Sequence, residues 1–322
     1  NSPSFKPAKT FVEEVKNKES TDEFTSNEIM FSYNITSEEY QILSKKLNIK
    51  EQRLRDTINE EVFTPRMTKS DWEIYKIYYP KLNYEKDEDG NDIKSTMNAE
   101  LIPLVVLYKD DQIVLLQEKY TQELETFITS YLETQTSFID NRNFLLVIFH
   151  HVVQMLYKHI RFLIAGHDLV ETLLHKSKNN NKLIDLVEIE QGFAIFNLAL
   201  RNIDFIVDNI DEEEEFAIYS EYLLRIQQEI NFTIDLSSTY VEICKTTRET
   251  YSSYIANDMN VTMKFLAAIT IIATIPNAIF GFYGMNIKLP FMGDTWVIFM
   301  IIGLVMVLVY VMWRILKRRK LM

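Results

Sequence analysis

The sequence predicts an α+β domain over residues 1–118, a helical and stalk region over 119–262, and a two-helix membrane domain over 263–322. Three observations carry this prediction. Runs rich in β-branched and aromatic residues gather before residue 117. After Pro103 no proline occurs until Pro276, and only Gly166 and Gly192 fall between them, so the residues that break helices are missing from that interval. Two uncharged apolar runs lie near the C-terminal end.

In chain order, residues 1–25 are polar and carry no secretory signal pattern. Residues 27–34 read as a strand, 37–47 and 50–58 as short helices, and 72–79, 100–108 and 112–116 as strands. The acid-rich run 85–92, with Gly90-Asn91, reads as a solvated hairpin tip. Helices follow at 120–135, 142–178 and 182–209, with Asn179-Asn180-Asn181 turning the second into the third. A last helix is predicted from near Glu212 to Tyr283. At ~1.5 Å per residue it is ~108 Å long, a length that only a bundle of such helices keeps straight and solvated.

The end of that helix is a membrane span. Phe265 to Tyr283 carries no charge, and as helix it is ~28 Å long, about the thickness of a hydrocarbon core. The second run, Thr295 to Trp313, has Trp296 at one end and Tyr310 and Trp313 at the other. Arg314, Lys317, Arg318, Arg319 and Lys320 follow it, and the positive-inside tendency places that end in the cytoplasm. Two spans return the chain to the side it left. Both termini are therefore expected in the cytoplasm of a plasma (inner) membrane protein.

Counting back from Gly284 in steps of three and four gives Gly281, Asn277, Thr274, Thr270, Ala267, Met263 and Asn260. Such steps trace one helix face, and every member except Met263 is small or polar. Polar groups facing lipid cost several kcal/mol each when unsatisfied, so Thr270, Thr274 and Asn277 must face protein or water. A threonine bonds back to its own helix, and small residues also permit close helix packing; both compete with a water-filled path.

Composition narrows the function classes. Residues 261–322 hold seven Lys or Arg and one acid, a net of +6; against the total of -12, that leaves -18 for residues 1–260. A body this acidic repels nucleic acid and concentrates cations. Cys244 is alone, which excludes an internal disulfide framework. His151, His159, His167 and His175 recur every eight residues, so at ~100° per residue they spiral around the helix instead of sharing a face. No zinc-protease His pair, CxxC, phosphate-binding glycine loop or GxSxG elbow occurs, and no enzyme is expected.

An apolar helix ending in Tyr283-Gly284-Met285-Asn286, a short loop, a second apolar helix and a basic tail together resemble the CorA family of divalent-cation channels. The resemblance is specific over roughly 215–322 and general before that. It implies a homopentameric funnel whose first membrane helix lines a pore, with Gly284, Met285 and Asn286 as the outer selectivity ring and Asn286 supplying the oxygen that meets the metal ion. Asn260, Thr270, Thr274, Asn277 and Gly281 would line the pore, and Met263 and Leu266 match the family's apolar gate. The transported ion would be Mg²⁺, with Co²⁺, Ni²⁺ or Zn²⁺ as alternatives, and no resident cofactor is expected. A non-conducting membrane-anchored sensor or scaffold is the reading from another class.

Two departures from the family stand out. The outer loop carries Lys288 first and Asp294 as its one acid. Counted without gaps from the motif, the stalk position at which members hold a regulatory aspartate is Arg225, which leaves Glu221, Glu212 and Glu213 as candidate regulatory ligands.

Overall fold

The computed structural model describes residues 6–7, 29–59, 65–69, 72–86, 92–109, 112–134, 140–177, 181–285 and 296–319. It divides into two compact units, 1–247 and 248–322.

The first unit is built on a six-stranded sheet: β1 (Lys6–Pro7), β2 (Ile29–Tyr33), β3 (Arg66–Lys69), β4 (Trp72–Lys86), β5 (Asp92–Lys109) and β6 (Gln112–Gln117). Their order in the sheet is β1-β2-β6-β5-β4-β3. The pairings β1 to β2 and β2 to β6 are parallel, and the others are antiparallel. The parallel β2–β6 pair needs a long crossover, and the chain between them supplies helices α1 (Ser37–Leu47) and α2 (Glu51–Asn59) as well as the β3–β5 strands.

Strand alternation sorts the core into two layers. Met30, Trp72, Ile74, Val105, Leu107, Val114 and Leu116 point to one face, where Tyr40, Leu43 and Leu47 of α1 and Leu54 and Ile58 of α2 cover them. The intervening positions Phe31, Tyr75, Ile77, Leu104, Val106 and Leu115 are equally buried. They face α4 (Asn141–Ser177) and α5 (Asn181–Asp211), which pack on β4 and β5; Tyr75 meets Phe149 of α4 edge-on at 5.7 Å. Burial on both faces explains why Leu104-Val105-Val106-Leu107 reads as an unbroken apolar run instead of an alternation.

Local signals set the helix ends. Thr36 caps α1 with a full capping box: its Oγ accepts from the Glu39 N–H at 3.4 Å, and the Glu39 carboxylate accepts from the Thr36 N–H at 2.6 Å. Asn48, at φ 53°, closes the same helix in the left-handed conformation. α3 (Gln122–Thr134), α4 and α5 fall within a few residues of the predicted helices.

The structure adds β3 and corrects two sequence expectations. β3 has four residues of no clear alternation, and it exists because β4 offers it a partner. The hairpin strands run on to Lys86 and back from Asp92, beyond the apolar stretch, because backbone pairing continues through polar residues and past Pro80; residues 87–91 of the expected acidic tip lie outside the described ones. The long helix does not begin near Glu212. A 3-10 segment, Glu214–Tyr219, comes first and α6 spans Ser220–Tyr283. Residues three apart eclipse in a 3-10 turn, which aims Phe216 and Tyr219 to one side. Phe216 is buried beside Tyr108 at 6.3 Å, and the Tyr219 hydroxyl donates to Asp140.

Gly192 marks the closest approach of α5 to its neighbours. A Cβ there would meet Leu163 Cδ1 of α4 at 3.0 Å and the Ala99 Cβ of β5 at 3.4 Å. Gly192→Val therefore overpacks the seam, and we expect a loss of about 1–3 kcal/mol, read as a lower denaturant midpoint of the detergent-solubilised chain. An unchanged midpoint would mean that α5 stands further from the sheet.

Candidate ion pathway

The second unit holds the end of α6 and α7 (Trp296–Arg318), both long and apolar enough to cross a membrane. α7 buries Val297, Ile301 and Val305, spaced by four along one stripe, against Ile279 and Tyr283 of α6. Ala268, at 1% exposure, is the buried residue of α6 within this unit. At ~100° per residue, Ala268, Ile279 and Tyr283 lie about 180° around the helix from Thr270, Thr274, Asn277 and Gly281. The polar stripe is thus the face of α6 turned away from α7.

Every stripe position is exposed in the single chain: Asn260, Met263, Thr270, Thr274, Asn277, Gly281 and Gly284, with Leu266 and Met285 beside them. Thr270 Oγ1 donates to the Leu266 carbonyl at 2.9 Å, and Thr274 Oγ1 donates to the Thr270 carbonyl at 2.8 Å. Each hydroxyl hydrogen is therefore used within the helix, and the oxygen lone pairs are left to accept from outside. Nothing lies within 4 Å of a Cβ built on Gly281, so that glycine leaves open space. Pro276, about two turns before the motif, lacks the N–H that would bond the Ile272 carbonyl.

At the end of α6 the Gly284 N–H donates to the Phe280 carbonyl at 2.8 Å, and a Cβ on Gly284 would stand 3.2 Å from that same oxygen. Glycine is thus fitted to the turn that closes the helix. Asn286, the expected metal-facing residue, lies outside the described residues. Met263 and Leu266 are each 64% exposed, two bulky apolar groups one turn apart on the accessible side.

The sequence profile described as "CorA-like Mg2+ transporter protein" matches residues 31–318. The chain belongs to the CorA-like transporter family. No curated protein matches it by sequence. Among solved structures, it is similar to the complete CorA magnesium transporter of Methanocaldococcus jannaschii, with a TM-score of 0.73 at 18% identity over 94% of this chain and 93% of that one. The full-length CmaX protein gives a TM-score of 0.67 at 16% identity, covering 90% of this chain and 88% of that one. The cytoplasmic domain of ZntB from Vibrio parahaemolyticus RIMD 2210633 gives 0.53 at 7% identity, covering 75% and 91%. At these identities the likeness establishes the fold.

The regulatory candidates of this CorA-family chain are spread over separate surroundings. Glu221 and Glu212 are exposed. Glu213 is engaged instead: its carboxylate pairs with Arg66, which also holds Glu73 at 3.0 Å, tying the start of the 3-10 segment to β3 and β4. Arg225 donates to Glu229 at 3.4 Å, and Glu229 also meets His150 Nε2 at 2.8 Å. A basic residue there orders a carboxylate instead of presenting one.

Two histidines serve packing. His151 stacks on Phe127 at 3.7 Å and reaches the Tyr79 hydroxyl at 3.3 Å; His159 bonds the Met155 carbonyl at 2.7 Å. His167 differs, because two carboxylates lie beside it on the same helix. The eight-residue spacing of the histidines does not reveal that cluster; the sequence signal for it is His167 and Glu171 at i, i+4.

Burial pushes His151 down to about 4, aided by the nearby charges of His150 and Lys158. The unfolded ring titrates near ~6.5, so the unfolded state takes up the proton first as pH falls. Its contribution is complete above pH ~6.5 and is lost as pH falls toward about 4. We expect acid to remove about 2–3 kcal/mol of stability across that window through this one ring. His151→Phe should flatten the dependence in pH-resolved unfolding; an identical slope would place the linkage on other groups.

Proposed function

We propose that the chain is a homopentameric channel that passes Mg²⁺ down its electrochemical gradient across the plasma (inner) membrane. The observation that carries this reading is the polar stripe on the face of α6 turned away from α7. One copy leaves Thr270, Thr274, Asn277 and Gly281 exposed at membrane depth, where lipid satisfies none of them. A ring of copies turns those faces toward one shared aqueous axis, with α7 outside toward lipid. The family resemblance supports a ring of five.

The chemistry suits a hydrated hard cation. Mg²⁺ sheds water reluctantly and prefers oxygen ligands. Amide oxygens of Asn286 and backbone carbonyls near Gly284 and Met285 hold such an ion through its waters, and the outward lone pairs of Thr270 and Thr274 continue the same contact. Met263 and Leu266 form the constriction that closes by dewetting. The basic end of α7 and the +6 balance of the membrane part support a cytoplasmic position for both termini. Lys288, first in the outer loop, argues against strong capture of cations from outside.

A zinc transporter of the same family is the second reading, and the likeness to the ZntB domain favours keeping it. A non-conducting sensor or scaffold gains nothing from a polar stripe through a membrane. No catalytic constellation points to an enzyme.

In liposomes, uptake of Mg²⁺, Co²⁺, Ni²⁺ and Zn²⁺ offered separately reads the selectivity. We expect Mg²⁺ to enter and Asn286→Ala to lower its rate at least tenfold with the oligomer unchanged; full-rate uptake by the variant would make the motif structural only. Native mass of the detergent-solubilised protein should equal five chains. A monomer or dimer would sink the pore.

A further inference from the structure

His167, Asp168 and Glu171 of α4 each offer one ligand atom, and these atoms all lie within 4.8 Å of one another. His167 Nδ1 stands 3.3 Å from Asp168 Oδ1. In a tetrahedral site with metal–ligand bonds of ~2.0 Å, neighbouring ligand atoms are ~3.3 Å apart. Two of the three donors are therefore already at the spacing of a coordination shell, and Glu171 follows His167 by four residues, on the same helix face.

The ring is held from its other side. His167 is 3% exposed, its Nε2 lies 3.5 Å from Thr247 Oγ1 of α6, and Tyr240 packs edge-on against it at 6.1 Å. A partner on the far nitrogen is the arrangement by which outer contacts fix the tautomer and aim of a ligating imidazole. The carboxylates open to water: the Asp168 side chain is 67% exposed and Glu171 is half-buried. Among the described residues no Lys or Arg pairs with Asp168, and Glu171 has no hydrogen bond or ion pair. A hydrogen bond from His167 to Asp168 accounts for two members of the group and leaves Glu171 without a role.

We propose that His167, Asp168 and Glu171 form a transition-metal site on the first unit, with water completing the shell. The imidazole nitrogen sets the class of ion. Mg²⁺ and Ca²⁺ favour all-oxygen shells, whereas Zn²⁺, Co²⁺ and Ni²⁺ accept imidazole together with carboxylates. None of the three residues belongs to the polar stripe of α6. The site does not rest on the Mg²⁺ reading, and its test uses no flux measurement.

The test is calorimetric titration of ZnCl₂ into the full-length protein in detergent micelles, with MgCl₂ in large excess to fill sites made of oxygen alone. Wild type is expected to bind one Zn²⁺ per chain more than Glu171→Ala or His167→Gln, or to bind it at least tenfold more tightly. Asp168→Asn, at the exposed edge, should weaken the same step while the metal-free protein unfolds at the wild-type temperature. Equal zinc binding by wild type, Glu171→Ala and Asp168→Asn overturns the proposal. So does loss of all zinc binding in excess Mg²⁺, which would mean that no imidazole takes part.

Discussion

A helix at membrane depth has no water to satisfy its side chains, and that constraint organises this protein. Thr270 and Thr274 each spend their one hydrogen on their own backbone, yet their oxygens remain turned outward together with the amide of Asn277. A single threonine in lipid tolerates this. A repeated polar face opposite the α7 contact does not, because Val297, Ile301 and Val305 already occupy the side of α6 on which an intramolecular partner sits. The pairing of α6 with α7 therefore determines which face is left for other copies or for water.

The first unit meets a different demand, the burial of a sheet on both faces. Alternation of Ile74 with Tyr75, and of Val105 with Val106, sends side chains into two cores, one closed by α1 and α2 and the other by α4 and α5. That second layer is tight enough at Gly192 to exclude a methyl group without movement of Leu163. The 3-10 segment is then clamped from two directions, by Phe216 and Tyr219 inside and by the Arg66–Glu213 pair at its start. The start of α6 is consequently anchored within this unit by its own packing.

What the sequence made legible follows from how local each signal is. The long helices in a stretch poor in Pro and Gly, the two apolar helices and the core strands 72–79, 100–108 and 112–116 depend on composition within a short window, and they appear where expected. β3 and the outer halves of β4 and β5 depend on a partner's backbone, which no window records. The start of α6 was misplaced for a related reason: Glu212 to Glu215 looks like an acidic first turn, but Phe216 and Tyr219 answer to Tyr108 and Asp140, far away in the chain. The polar stripe was readable because a helix face is periodic. Its relation to α7 was not, since that depends on which apolar positions meet.

The treatment of charge differs between the two kinds of cation contact. On the stripe there is no ionised group from Thr270 to Gly284, so in the proposed pore an ion would meet only dipoles, through its waters. At His167 two carboxylates and a ring nitrogen lie within 4.8 Å of one another with an edge open to solvent, the arrangement proposed above to hold a softer ion. Arg225 shows the opposite choice: by engaging Glu229, which also holds His150, it takes a carboxylate out of ligand service. Where charge is paired, fixed or left facing water thus separates the proposed pore face, which carries no ionised group, from the proposed metal site, which carries two carboxylates.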